Sequence, residues 1–383
     1  MLSAETACSR CTHLIGAALF GFATAIAAIL LLGPEIQSLR RTLLLKLQNQ
    51  HPLDPVESRE ESLSVAIQHL RQQPPLGIIG GSGAEAGIDL ASKVVAASQR
   101  QMAALPDYAA FSADLTAPRF SLLSVPELGL SMDMARHEAQ VWASLREAYL
   151  ELAGAPAPTY SRWASCNATC ESPVVGEPRT GVIAIACVTL AYFEPKLEQL
   201  RVELLRSPFW MLAAPPPKLV SYPAAVGRRV AARFPHVKTV ALLGSELTLD
   251  VGTGGKSPFN CAARERDVAA ADHCGDWVYE VPTMAAQKRL QKLIFSIKRG
   301  QGAQGGVLHY KDDLKHELFQ LIDGMRSELV VLACTELPLL LTEKSTSGEV
   351  SYGGKILLDA TTVLAEELAA SVLPLPKREI SER

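Results

Sequence analysis

Apolar residues along this chain fall into short unbroken runs, each followed by a turn of small or polar residues and then by apolar positions at helical spacing. Such runs read as strands buried on both faces, and the spaced positions read as the helices that cover them. "LGII" at 76–79 predicts a first strand, "GGSGAEAG" a turn, and the residues from about 86 to 103 a helix. "RFSLLSV" predicts a second strand and "MARHEAQVWASLREAYLEL" an amphipathic helix. Residues 153–178 are rich in Pro, Ala and Ser without a period, which reads as a long loop. "GVIAIA" at 181–186 is a third strand, with helical spacing after it through residue 205.

The pattern then restarts. Three successive prolines at 215–217 cannot sit inside a helix and mark a boundary. "TVALLGSE" at 239–246 is again a strand running into a small-residue turn, and the second half closes on the strand "LVVLA" before Cys334. The tail "GGKILLDATTVLAEELAASVL" predicts a short strand and a helix that return to the first domain. The expected fold is therefore α/β, with two similar parallel-sheet domains: residues 74–212 plus 345–373, and residues 213–344. Residues 51–73, charged and containing proline, read as a linker.

Residues 1–50 differ from the rest. The stretch "LIGAALFGFATAIAAILLLG" at 14–33 carries no charge and is long enough to cross a hydrocarbon core. It is expected to be a single membrane-anchoring helix. Arg40, Arg41 and Lys46 after it outweigh Arg10 before it, which places the large domain in the cytosol. A cleaved signal or an organellar targeting segment is the rival reading.

Composition narrows the function classes. The 383 residues carry 37 Lys+Arg against 40 Asp+Glu, with 48% hydrophobic residues and a formal net charge of −3. With no basic run or interleaved aromatics, nothing points to nucleic acid. Eight cysteines in so long a chain are not a disulfide scaffold. Cys166, Cys170, Cys261, His273 and Cys274 follow no standard zinc spacing, so no metal is expected. The spacing from Gly81 to Ala86 matches a dinucleotide pattern, but no acidic residue clearly ends a second strand after it.

The informative cysteines are Cys187 and Cys334. A lone buried cysteine is usually a small hydrophobe. These two share a context: each ends a strand and is followed by a hydroxyl residue and helical spacing. Strand ends are where ligands bind in open parallel sheets, and a helix beginning there would favour a thiolate. Two facing thiols, one ionised and one protonated, could remove a proton beside a carboxylate and return one on the opposite face without a cofactor. Gly81, Ser82, Ser124, Thr189, Ser245 and Thr335 are the groups expected around that carboxylate, several of them also fit to cap helices. Glu336 is expected either to cap a helix or to meet an ammonium group.

The blocks "GIIGGSG", "ACVTLAYF", "LACTELPLLL" and "LLDATTVLAEE" resemble the aspartate/glutamate racemase family of cofactor-independent amino-acid racemases, over about residues 76–373. The resemblance implies two Rossmann-like domains related by a pseudo-twofold, an active site in the cleft between them, catalytic roles for Cys187 and Cys334, and a homodimer. It also implies a small amino or carboxylic acid as the substrate. The chain departs from the family at Val188 and Ala191, where the first block usually has Asn and His, and keeps Cys187 and Thr189. The alternatives are a carboxylic-acid isomerase or decarboxylase of the same fold, and a membrane-tethered protein that binds without catalysis.

Overall fold

Two parallel sheets carry the architecture. In a computed structural model, described for residues 74–81, 83–103, 117–154, 180–206, 215–249, 259, 277–300, 312–341 and 347–372, the first sheet contains β1 (Leu76–Gly80), β2 (Phe120–Ser124), β3 (Val182–Ile185) and β4 (Lys218–Leu219), in the order β2-β1-β3-β4. The second contains β5 (Thr239–Gly244), β6 (Val278–Glu280), β7 (Leu329–Ala333), β8 (Glu349–Tyr352) and β9 (Lys355–Asp359), in the order β6-β5-β7-β9-β8. Every pairing is parallel except that of β8 with β9.

The apolar runs explain the central strands. β1 and β7 are buried along their whole length, and β5 is buried after Thr239, as expected of strands covered on both faces. The helices that cover them are α1 (Ala84–Ala103), α2 (Met134–Ala153), α3 (Glu194–Leu205), α4 (Tyr222–Arg233), the short α5 (Glu246–Leu249), α6 (Met284–Lys298), α7 (Asp312–Asp323) and α8 (Ala360–Val372). α4 and α6 begin on side-chain caps: Ser221 accepts from Ala224 N–H and Thr283 from Ala286 N–H.

The two sheets share one strand order. Counted along the chain, the first four parallel strands of each run 2-1-3-4. The chain therefore reverses direction across each sheet between its first and third strands, β1 and β3 in one and β5 and β7 in the other. The carboxyl ends of those strands are the switch points where an open α/β sheet forms its crevice.

The tail ties the two sheets together. β9 pairs with β7, so the strand predicted from "KILLD" belongs to the second sheet. α8, which follows directly, packs against α1 and α4. Asp359 caps its start, accepting from Thr361 N–H at 2.8 Å and from the Thr362 hydroxyl at 2.7 Å, while Lys93 of α1 lies 2.8 Å from the same carboxylate. One hydrophobic core then runs through Leu76 and Ile78 of β1, Val240 and Leu242 of β5, Val331 of β7, and Val363, Leu364 and Leu368 of α8.

The apolar stretch 14–33, the linker 51–73, most of the loop 153–178 and the residues Ser82, Cys166, Cys170, Cys261, His273 and Cys274 lie outside the described residues. Among the described residues, no helix is long and apolar enough to cross a membrane, and no cluster of His, Cys, Asp or Glu could hold a metal ion.

Candidate active site at the facing strand ends

Four turns leave the switch points, and they meet. The turn after β1 begins at Gly81, which has φ +124° and a backbone so close to the end of β2 that a Cβ there would lie 1.9 Å from the Val125 carbonyl oxygen. Only glycine fits this position. Two residues on, a Cβ on Gly83 would come within 3.0 Å of Glu336 Oε1. The turn after β1 thus abuts the turn after β7, from the other sheet.

The second junction is made of hydroxyls. Thr189 follows Cys187 at the end of β3, and its Oγ1 lies 2.9 Å from Ser245 Oγ, the residue directly after β5. Ser245 in turn lies 2.9 Å from Thr248 Oγ1 and accepts from Thr248 N–H. All three side chains are buried. The strand ends of the two sheets therefore face each other across a polar seam.

Each junction carries one thiol in its turns, Cys187 after β3 and Cys334 after β7, and both are buried and free of a disulfide. Cys334 Sγ donates to Glu336 Oε2 at 2.9 Å, and the Thr335 hydroxyl donates to the same oxygen at 3.1 Å. Lys298, the last residue of α6, brings its ammonium 3.0 Å from Glu336 Oε1. The side chains of that ion pair are only 10% and 6% exposed, so solvent screens it little. Burial on its own would lower the Lys298 pKa. Interaction with the Glu336 carboxylate, and after it with Cys187 and Cys334, reverses this and holds it above the ordinary lysine range, so the ammonium stays charged. Both sulfurs are thus within electrostatic reach of one buried cation.

The electrostatics of Cys334 differ from those suggested by the sequence. Burial, and after it the Glu336 carboxylate, push its thiol well above the usual cysteine range, with Lys298 opposing. No long helix begins at either cysteine. Cys187 leads into the 3₁₀ segment Val188–Phe193 ahead of α3, and Cys334 into a turn and the 3₁₀ segment Leu337–Leu340. Such short segments align too few peptide dipoles to favour a thiolate strongly.

Of the residues singled out by sequence, Thr189 and Ser245 meet directly, and Cys334, Thr335 and Glu336 form one hydrogen-bonded group. Gly81 shapes the turn that carries Gly83 to that group. Ser124 ends the edge strand β2 and is exposed. Val188 and Ala191 are buried, Val188 within the core that both sheets share. His316 is exposed on α7, beside Gln320.

Lys298, Thr248 and Tyr222 were not found from the sequence. Tyr222 is fully buried at the start of α4, where burial pushes its pKa well above the usual tyrosine range, and its hydroxyl lies 3.5 Å from that of Thr361. The one available signal for Lys298 was its spacing: it continues the face of α6 that carries Gln287, Gln291 and Ile294.

Compared by sequence, the chain matches no family model and no curated protein. Compared by structure, it is similar to a Yersinia pestis protein assigned as an Asp/Glu racemase, at 16% identity and a TM-score of 0.49, over 79% of this chain and 100% of that one. It is also similar to a glutamate racemase isoform of Bacillus anthracis, at 12% identity and a TM-score of 0.43, over 78% of this chain and 81% of that one. A glutamate racemase of Francisella tularensis in complex with D-glutamate gives 12% identity and a TM-score of 0.34, over 80% of this chain and 85% of that one.

Proposed function

We propose that the chain is a cofactor-independent racemase or epimerase of a small amino acid, working by two-base proton transfer between Cys187 and Cys334. One observation carries this reading: the two thiols end strands at the switch points of two facing sheets, and both lie within the field of the buried Lys298 ammonium. In this reading the halves are related by a pseudo-twofold, which their common strand order supports.

The chemistry follows from that placement. Lys298 and the hydroxyls of Thr189, Ser245 and Thr335 would receive the substrate carboxylate, and the Ser82 hydroxyl is a further candidate for that role. Removal of the Cα proton spreads negative charge onto that carboxylate, and a fixed buried cation stabilises the charge as it develops. One thiolate takes the proton while the opposite thiol delivers its own to the other face of Cα. The substrate leaves inverted, the two sulfurs have exchanged protonation states, and no electron is gained or lost.

The test is deuterium uptake at Cα in D₂O across a panel of L- and D-amino acids, read by mass spectrometry on the reduced full chain and its Cys187→Ala and Cys334→Ala variants. Exchange that either substitution abolishes or makes one-sided is the expected result. A second reading, an isomerase or decarboxylase using one thiol, is favoured by the asymmetry of the pair, since Cys334 is bonded to a carboxylate while the hydrogen-bonding groups of the Cys187 turn are hydroxyls. Dependence on a single cysteine, with no Cα exchange, would select it.

A further inference from the structure

Glu336 divides its two oxygens between different tasks. Oε2 accepts the Cys334 thiol and the Thr335 hydroxyl, while Oε1 faces Lys298 and the turn at Gly83. A sulfur can donate to a carboxylate only while it keeps its proton. A thiolate in the same place would put a second negative charge against the first, with one ammonium to balance both. The groups facing this carboxylate among the described residues are Cys334 and Thr335 from its own turn, Lys298 from α6 and Gly83 from the turn after β1, and Lys298 also interacts electrostatically with Cys187. Around Cys187 the turn offers the hydroxyls of Thr189, Ser245 and Thr248.

We infer that Glu336 is a positioning residue that holds the proton on Cys334, so that the resting protein presents Cys334 as the acid of the pair and Cys187 as the base. This rests on the two-base reading for its meaning and adds an order to it. The enantiomer whose Cα proton points at Cys187 meets a ready base. The other enantiomer requires the form with Cys334 ionised, which Glu336 disfavours. Each turnover from the resting form leaves Cys187 protonated and Cys334 ionised, and the carboxylate drives the return by favouring a proton on Cys334.

The experiment is the pH dependence of iodoacetamide alkylation, resolved for the two cysteines by peptide mass spectrometry, on the reduced full chain without substrate. Only the thiolate reacts, so the midpoint of each curve reports that thiol. In the wild type Cys334 should react at a higher pH than Cys187. Glu336→Gln, which keeps the shape and removes the charge, should lower the Cys334 midpoint by about one pH unit, raising its rate near neutrality about tenfold, and leave Cys187 within about twofold. Glu336→Asp should restore part of the difference. A Cys334 midpoint that stays or rises in Glu336→Gln overturns the inference, and so does an equal rise at both cysteines, the sign of a loosened site. Because alkylation needs no substrate, a shifted midpoint without Cα exchange would overturn the racemase reading alone.

Discussion

At the scale of single residues, Lys298 and Glu336 make a buried ion pair in which the carboxylate also accepts from the Cys334 thiol and the Thr335 hydroxyl. The effect of pH on stability can be worked out from it. The Cys334 pKa is raised in the folded chain, chiefly by burial and then by Glu336. As pH passes the unfolded value of about 8.5, the unfolded chain loses this proton first and stability falls. Lys298 is also raised. Its contribution is complete below the unfolded value of about 10.4 and is lost as pH rises through the folded one. Urea unfolding between about pH 7 and 10 should show declining stability from near 8.5 upward, and Cys334→Ala should flatten that decline. An unchanged slope would place its origin in other groups. Cys187, Cys334, Thr335 and Ser245 were legible because each stands within two residues of the end of an apolar run. Lys298 was not, since a lysine ending an amphipathic helix ordinarily serves the helix carbonyls and solvent.

Among the elements, α8 gathers several contacts on a single side chain at its start. Asp359 satisfies two N–H groups at its start and holds Lys93 of α1 across the interface. Asp359→Ala should cost up to about 2 kcal/mol of unfolding free energy, the upper range for a lost cap, with Asp359→Asn recovering the cap share and not the ion pair. Equal stability of all three proteins would show that α8 is held by packing alone. The central strands were legible because their runs are unbroken. β4, of two residues, and β8, half-buried on the sheet edge, carry no such run. The helix expected directly after Cys187 is 3₁₀ until Phe193. Pro195 marks the true α-helical start, because a proline in the first turn gives up an N–H that has no helical partner anyway.

For the molecule as a whole, the shared core decides cooperativity. Leu364 of α8 lies in one cluster with residues of both sheets. Leu364→Ala should therefore lower stability by roughly 2–5 kcal/mol and shift one common unfolding transition, followed by tryptophan fluorescence and by circular dichroism. Separate transitions by the two probes would mean that the sheets unfold independently. The sequence by itself determined the alternation of buried strands and covering helices, the restart of that pattern after the prolines, and the position of two cysteines at strand ends, because all of these are written in periods of a few residues. Tertiary structure decided which strand ends face each other, that the tail's strand joins the second sheet while its helix packs on α1 and α4 within the core both sheets share, and that a lysine from α6 reaches Glu336 and interacts electrostatically with both thiols. Those relations join residues far apart in the chain, and only the packing of one sheet's turns against the other's brings them within hydrogen-bonding distance or electrostatic reach.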